Sequence, residues 1–221
     1  MPRPPRIIIP NIPYQVTQRG NHGRDVFYHP DDRNCYLEKL ALYSVKYRFE
    51  IQAYCLMTNH IHLIGIPRNE NSIAKIMQVV QSNHTQAVNR SHGWTGNLWQ
   101  QRYFASALSK SHMWNALRYV EQNPVRAGIV AKCEDYLWSS AAYHCGFRDD
   151  NVIIPNSRYS DMYDNWHDLV NQSLDEEALK YIKYCATKGL PYGDDKFIHR
   201  ISRKTSGKIN HPSQFGLRNV D

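Results

Sequence analysis

Segments with strand and helix patterns of hydrophobic residues alternate along the first 124 residues. Four segments have the pattern of strands, at residues 12–19, 50–57, 60–66 and 98–108. Three have the pattern of helices: from Asp31 or Asp32 to about Arg48, from Ser72 onward, and from Ser111 to Pro124. The order is therefore strand, helix, strand, strand, helix, strand, helix.

This order is typical of a split βαβ unit, so we predict an α+β fold with a ferredoxin-like antiparallel sheet. Helices are expected on one face of the sheet. The other face would then be available for a ligand, as it is in RNA-recognition modules of similar build.

A second, smaller region is predicted after residue 146. Its composition is first loop-like, and helices are then expected from Asp175 and over about 194–204. We place a first domain at 1–146 and a linker with a helical, basic extension at 147–221. Two roles for the extension remain open, a DNA-binding helix pair and a helical cap packed on the first domain. Five residues favour the first role: Lys196, Arg200, Arg203, Lys204 and Lys208.

The net charge favours some classes of binding partner but does not identify one. Lys and Arg outnumber Asp and Glu by 27 to 20, which gives a net charge of +7. Such a surplus favours a polyanion such as nucleic acid, although a basic surface without such a partner is an equal alternative. The five cysteines form no C-x-x-C pair, and no apolar run reaches the length of a membrane span. We therefore expect a cytoplasmic protein with reduced thiols and no membrane contact.

The tripeptide His60-Ile61-His62 is a candidate metal site. Side chains alternate along a strand, so His60 and His62 share one face while Ile61 points to the other. Two imidazoles on one face can reach a common metal ion. An H-x-H tripeptide also arises without any function, so the pair alone leaves both interpretations open.

Tyr119 and Asn123 are the second candidate pair. They stand four residues apart in the third predicted helix and therefore share a face. A phenol can act as a covalent nucleophile in phosphoryl transfer if a cation lies near the phosphate, and an amide oxygen can bind that cation. The alternative is structural: most of the 15 tyrosines are packing residues, and Asn123 precedes the proline that ends the helix.

Four segments carry a resemblance to a known family. They are YCLMTNHIHLI, LWQQRYFAS, ALRYVEQNPVRAGIV and LWSSAAYH, in that order. Together they resemble the single-tyrosine HUH transposases, in particular the REP-associated tyrosine transposases. The likeness covers about residues 10–146.

The resemblance implies a role for each candidate. His60 and His62 would bind Mg²⁺ or Mn²⁺, and Asn123 would be the third ligand where the insertion-sequence branch has a longer Gln. Tyr119 would attack a DNA phosphate to give a 5′-phosphotyrosine and a free 3′-hydroxyl. A later attack by a hydroxyl would reseal the strand without ATP.

The resemblance also implies a single-stranded DNA hairpin with a flanking guide sequence as the substrate of a monomer or homodimer. The residues that we predict to contact DNA are Arg19, Asn21, His22, Arg24, Arg102 and Arg126, whereas Trp94, Trp99 and Trp138 are expected in the core. Two alternatives remain: a hairpin-binding protein or domesticated regulator that does not cut, and a metal-dependent hydrolase with a structural tyrosine.

Overall fold

The computed structural model describes residues 7–100, 102–153 and 165–205. The strands are β1 (Tyr14–Arg19), β2 (Phe49–Leu56), β3 (His60–Pro67) and β4 (Phe104–Ala107). The helices are α1 (Pro30–Lys46), α2 (Ser72–His92), α3 (Met113–Glu121), α4 (Asn123–Arg126), α5 (Ala141–His144), α6 (Trp166–Asn171), α7 (Glu176–Lys188) and α8 (Asp195–Lys204).

The four strands form one antiparallel sheet in the order β2-β3-β1-β4. With α1 and α2 as the two crossover helices, this is the predicted ferredoxin-like arrangement, and it is confirmed. The strand predicted over 98–108 is shorter, because only Phe104–Ala107 pair with β1. The third helix ends at Glu121, just before Pro124, where the sequence predicted its end. Pro124 lies in the first turn of the short helix α4.

One face of the sheet packs against α1 and α2. Val16 and Leu63 of the sheet are fully buried in a core that includes Leu40 of α1 and Ile76 of α2. The start of α1 is defined by a capping box, in which Asp32 accepts hydrogen bonds from the backbone of residues 28 and 29. The predicted helical layer is therefore present on this face.

The second face, which we expected to be available for a ligand, is covered over much of its area. Leu117 of α3 and Ile182 of α7 lie in a second core with Cys55 and Ile64 of the sheet. The Ser106 hydroxyl of β4 donates a hydrogen bond to the Cys185 carbonyl of α7 (2.8 Å). The expectation that this face is open was therefore wrong. α3 and the carboxy-terminal region have apolar faces of their own, and these are buried by packing against the sheet.

These contacts favour the cap interpretation of the extension. The Tyr192 backbone forms hydrogen bonds with both Ala107 and Ser109, so the chain between α7 and α8 runs along the end of β4. The basic side chains of α8 are solvent-exposed, and Lys208 lies outside the described residues. The boundary between residues 146 and 147 stays a prediction.

The three tryptophans expected in the core differ in burial. Trp99 is buried and Trp138 packs against the same core, but Trp94 is 47% exposed. It follows Gly93, whose left-handed backbone (φ 66°) ends α2, and it stacks on His92 at 4.3 Å between ring centroids. The prediction for Trp94 was wrong because the helix ends at His92, two residues before Trp94, and the ring lies beyond the helix end.

Within the described residues, every helix is too short or too polar to cross a bilayer.

Candidate metal and tyrosine site

His60 and His62 project from β3 onto the face of the sheet that α3 covers. Their ring centroids are 4.9 Å apart, with the ring planes at 86°. His62 is 2% exposed, and His60, nearer the start of the strand, is half-buried. The strand therefore presents both imidazoles to one place.

One ring nitrogen of each histidine is engaged by a neighbouring side chain. The Nδ1–H of His60 donates to Asn59 Oδ1 (2.6 Å), and the Nδ1 of His62 shares a hydrogen bond with the Thr17 hydroxyl (3.1 Å). Thr17 stands opposite His62 in the β1–β3 ladder. In both rings Nε2 is the nitrogen left to bind a ligand, and metal-binding histidines commonly have this arrangement.

Both imidazoles are held in the neutral form that binds metals. Burial, assisted by the nearby Arg19 cation, lowers the pKa of His60 to about 4. Burial also lowers the pKa of His62 well below its usual value, and His60, Arg126 and Arg19 act in the same direction. At neutral pH each ring therefore keeps a lone pair on nitrogen.

Helix α3 places Tyr119 against this pair. The centroids of the Tyr119 and His62 rings are 5.7 Å apart in an edge-to-face contact. The Tyr119 side chain is 6% exposed. The two residues are 57 positions apart in the sequence. The fold thus brings the tyrosine predicted as nucleophile into contact with a histidine predicted as metal ligand.

Burial and two arginines act in opposite directions on the pKa of the Tyr119 phenol. Burial raises the pKa of Tyr119 above its usual value, and the positive charges of Arg126 and Arg19 offset this rise only in part. The Arg126 guanidinium lies over the Tyr119 ring, 4.6 Å from its centroid, and donates to the Tyr119 carbonyl (2.5 Å). Arg126 thus supports the tyrosine directly, and its predicted contact with DNA stays a prediction.

Asn123 lies one turn beyond Tyr119, and its hydrogen bonds within the described residues run to the backbone of α3 and not to the histidines. Its amide nitrogen donates to the carbonyls of Tyr119 (2.9 Å) and Val120 (3.2 Å). The bonds fix the nitrogen end of the amide, so Oδ1 is the atom through which Asn123 would bind a cation. Its role as third ligand stays a prediction.

The donor set fits a divalent ion with open coordination positions. Among the described residues, no group of three His, Cys, Asp or Glu side chains could hold a metal. The two neutral imidazoles would therefore need an amide, water or substrate oxygen beside them. A mixed nitrogen and oxygen set of this kind is compatible with Mn²⁺ or Mg²⁺.

A buried polar cluster fixes α3 from behind. Glu121 is fully buried, and its Oε1 accepts hydrogen bonds from the Ser140 hydroxyl (2.6 Å) and His144 Nδ1 (2.5 Å). The Gln122 amide donates to the Val170 carbonyl (2.8 Å) at the end of α6. The helix that carries Tyr119 is thus attached to α5 and α6 through side chains next to the tyrosine.

Four of the six predicted DNA-contact residues line one cleft beside the histidines. This arginine cleft, of about 390 Å³, is lined by Arg19, Asn21, His22 and Arg102, with Phe104 as its exposed ring. Arg19 stands opposite His60 in the ladder, so the cleft adjoins the site. Arg24 is not part of the cleft, and Arg126 lies with the tyrosine.

Sequence reasoning missed Thr17, Asn59 and Glu121. Thr17 occupies the correct face of a predicted strand, but its partner depends on the β1–β3 register, which no local pattern encodes. Asn59 lies between β2 and β3, where no sequence pattern indicates its hydrogen bond with His60. Glu121 stands two positions from Tyr119 and therefore points away from the site into the protein interior.

Three comparisons relate the chain to known proteins. A family model described as "Transposase IS200 like" matches residues 9–123, more than half of the chain, and this range includes both histidines, Tyr119 and Asn123. A Haemophilus influenzae protein named as a REP-associated tyrosine transposase is 28% identical over 105 residues, which cover 42% of this chain. The match spans 60% of the length of that relative.

A solved structure has a similar fold. It is described as a REP-associated tyrosine transposase bound to a REP hairpin, and it superposes with a TM-score of 0.56 at 17% identity. The match covers 71% of this chain and 96% of the other. At this identity the likeness concerns the fold.

Proposed function

Because this chain belongs to the IS200-like transposase family, we propose that it cuts and rejoins single-stranded DNA with Tyr119 as the covalent nucleophile. The observation that carries the proposal is the contact between the Tyr119 and His62 rings at 5.7 Å, beside a second neutral imidazole. A tyrosine that served only packing would not need two imidazoles next to it whose hydrogen bonds, among the described residues, use Nδ1 and leave Nε2 for a ligand.

In the proposed reaction, the Tyr119 phenol gives up its proton and its oxygen attacks the phosphorus of a DNA phosphodiester. The new O–P bond forms a 5′-phosphotyrosine as the bond to the 3′ oxygen breaks, and that oxygen takes up a proton to become a 3′-hydroxyl. In the reverse sense, a 3′-hydroxyl attacks the phosphotyrosine and restores the diester. One ester bond replaces another at each step, so ATP is not required.

The residues of the site have distinct tasks in this proposal. His60 and His62, with Asn123 as the third ligand, would hold Mg²⁺ or Mn²⁺, which supplies Lewis-acid stabilisation of the phosphate oxygens. Arg126 and Arg19 favour the phenolate of Tyr119 against the effect of its burial. The arginine cleft would bind the phosphates of the strand on its way into the site.

We propose a DNA hairpin with a single-stranded flank as the substrate. The structural relative is described as bound to a REP hairpin, and the arginine cleft adjoins the histidine pair in this chain. The reaction would be carried out by a monomer or a homodimer.

A covalent adduct tests the proposal. The protein would be incubated with Mn²⁺ and labelled hairpin DNA taken from palindromes that flank its gene, then separated on a denaturing gel. We expect a labelled protein band that disappears with EDTA and in Tyr119→Phe. Tyr43→Phe, a matched change on α1, should keep the band. DNA binding without any adduct would support the non-cleaving alternative, and an undiminished adduct in Tyr119→Phe would exclude Tyr119 as the nucleophile.

A further inference from the structure

A groove of about 580 Å³ runs between α2 and the chain that leads into β4. Its volume is within the range of about 300–1,000 Å³ that is usual for small-molecule sites. Five carboxamide side chains line it: Gln18, Gln78, Gln81, Gln86 and Asn97. Among the described residues that line the groove, none is acidic.

The chemistry of this lining suits a nucleobase. A carboxamide carries a donor and an acceptor side by side, which is the pattern needed to pair with a base edge. Trp99 and Tyr103 add aromatic rings, and Arg102 adds a cation for a phosphate. The absence of carboxylates from these walls removes the repulsion that a polyanion would otherwise meet there.

One side chain at the groove carries a buried polar atom without a hydrogen bond in the described part of the chain. Trp99 is 9% exposed, and its Nε1 has no partner among the described residues. Such a group has lost water without replacement, which is unfavourable, so a ligand that accepts a hydrogen bond would gain by reaching it.

The groove continues into the arginine cleft. Gln18 and Arg102 line both of them, and Arg19, the next residue along β1, stands opposite His60. A DNA strand whose phosphate lies at the histidines would therefore cross the arginine cleft before it reaches the carboxamides. The base of a nucleotide beyond the arginine cleft would then lie at the groove.

We propose that this carboxamide groove binds an unpaired base of the DNA strand, a few nucleotides away from the phosphate that is cut. The inference rests on the proposed function, because it takes single-stranded DNA as the ligand. The groove would add recognition of bases to a site whose other contacts are with phosphates.

The test compares binding to strands with and without bases. Fluorescence anisotropy in EDTA would measure affinity for a labelled mixed-sequence single strand of about 20 nucleotides, longer than the sites typical of such proteins. The second probe is the same backbone with abasic sites throughout. The variant carries Gln78→Ala, Gln86→Ala and Asn97→Ala, and all three side chains are exposed, so the fold should be retained. Asn83→Ala is the matched control, since Asn83 is an exposed carboxamide of α2 outside the groove.

We expect the triple variant to bind the base-bearing strand about tenfold more weakly, from the loss of contacts to one base, and the abasic strand as the unchanged protein does. The Asn83→Ala control should match the unchanged protein on both probes. An equal loss on both probes, or no loss on either, would overturn the proposal.

The outcomes separate this inference from the proposed function. If the unchanged protein forms its Tyr119 adduct while the triple variant binds the base-bearing strand normally, only the groove proposal fails. If the unchanged protein binds neither strand and forms no adduct, the proposed function fails as well.

Discussion

Each histidine of the site depends on a single neighbouring side chain for the orientation of its ring. Asn59 and Thr17 engage the Nδ1 atoms of His60 and His62, and this leaves both Nε2 atoms for a ligand. A neutral His62 that binds through Nε2 carries its hydrogen on Nδ1, so Thr17 then accepts. The hydroxyl of Thr17 is therefore part of the proposed metal site.

Thr17→Val should weaken metal binding without unfolding the protein. Valine has nearly the same shape but cannot accept a hydrogen bond, so the His62 ring loses its orientation. Loss of such a supporting contact typically reduces metal affinity about 10–100-fold. Titration of Mn²⁺ followed by electron paramagnetic resonance would measure the change, and Thr17→Ser, which keeps the hydroxyl, should bind nearly as the unchanged protein does. Equal affinities for Thr17→Val and the unchanged protein would show that this bond has no role.

At the residue scale, the sequence predicts which side chains share a face when they belong to the same strand or helix. The period of a strand is enough to put His60 and His62 on one face, and the period of a helix puts Asn123 one turn from Tyr119. Thr17 could not be found in this way, because its pairing with His62 is decided by strand register across 45 residues. The same limit applies to the approach of Tyr119 to His62.

At the scale of elements, α3 is the part on which the site depends. Glu121 holds it from the interior through Ser140, His144 and Trp166 Nε1, which donates to Oε2 at 3.4 Å. The sequence predicted the helix and its end near Pro124. It did not predict the anchor, since a charged residue beside a functional tyrosine is more often solvent-exposed than fully buried.

Glu121→Ala should destabilise the fold strongly. The change removes the fully buried carboxylate that accepts hydrogen bonds from His144 and Ser140, and loss of one partner of such a buried pair costs about 3–5 kcal/mol. Urea unfolding would measure the free energy of unfolding. The matched control is Glu176→Ala, an exposed residue in the first turn of α7, which should leave the midpoint almost unchanged. A similar midpoint for both variants would show that the buried cluster does not anchor α3.

At the scale of the whole molecule, the extension completes the protein core. Trp166, Ile182, Cys185 and Tyr192 are at most 1% exposed and share the second core with α3. The sequence predicted the helices of this region but left open where they dock. The apolar face of an amphipathic helix does not show which surface it packs against. The covered second face of the sheet was missed for the same reason.

A chain that ends at residue 146 should therefore lose stability. Burial of a large apolar side chain contributes about 1.5–3 kcal/mol, and a whole domain has a net stability of only about 5–15 kcal/mol. Loss of several such side chains should abolish cooperative thermal unfolding or lower its midpoint by more than about 10 °C. Calorimetry of the two lengths of chain makes the comparison. Equal midpoints would show that residues 1–146 form a self-sufficient domain.

The most direct test of the account is to locate the DNA on the protein. Trypsin cuts after Arg118 and Arg126, and the peptide between them, residues 119–126, contains Tyr119 as its single tyrosine and no Ser, Thr, Cys or His. After reaction with hairpin DNA and nuclease trimming, mass spectrometry should find a 5′-linked nucleotide on this peptide. A nucleotide on any other peptide, with residues 119–126 unmodified, would contradict the central claim.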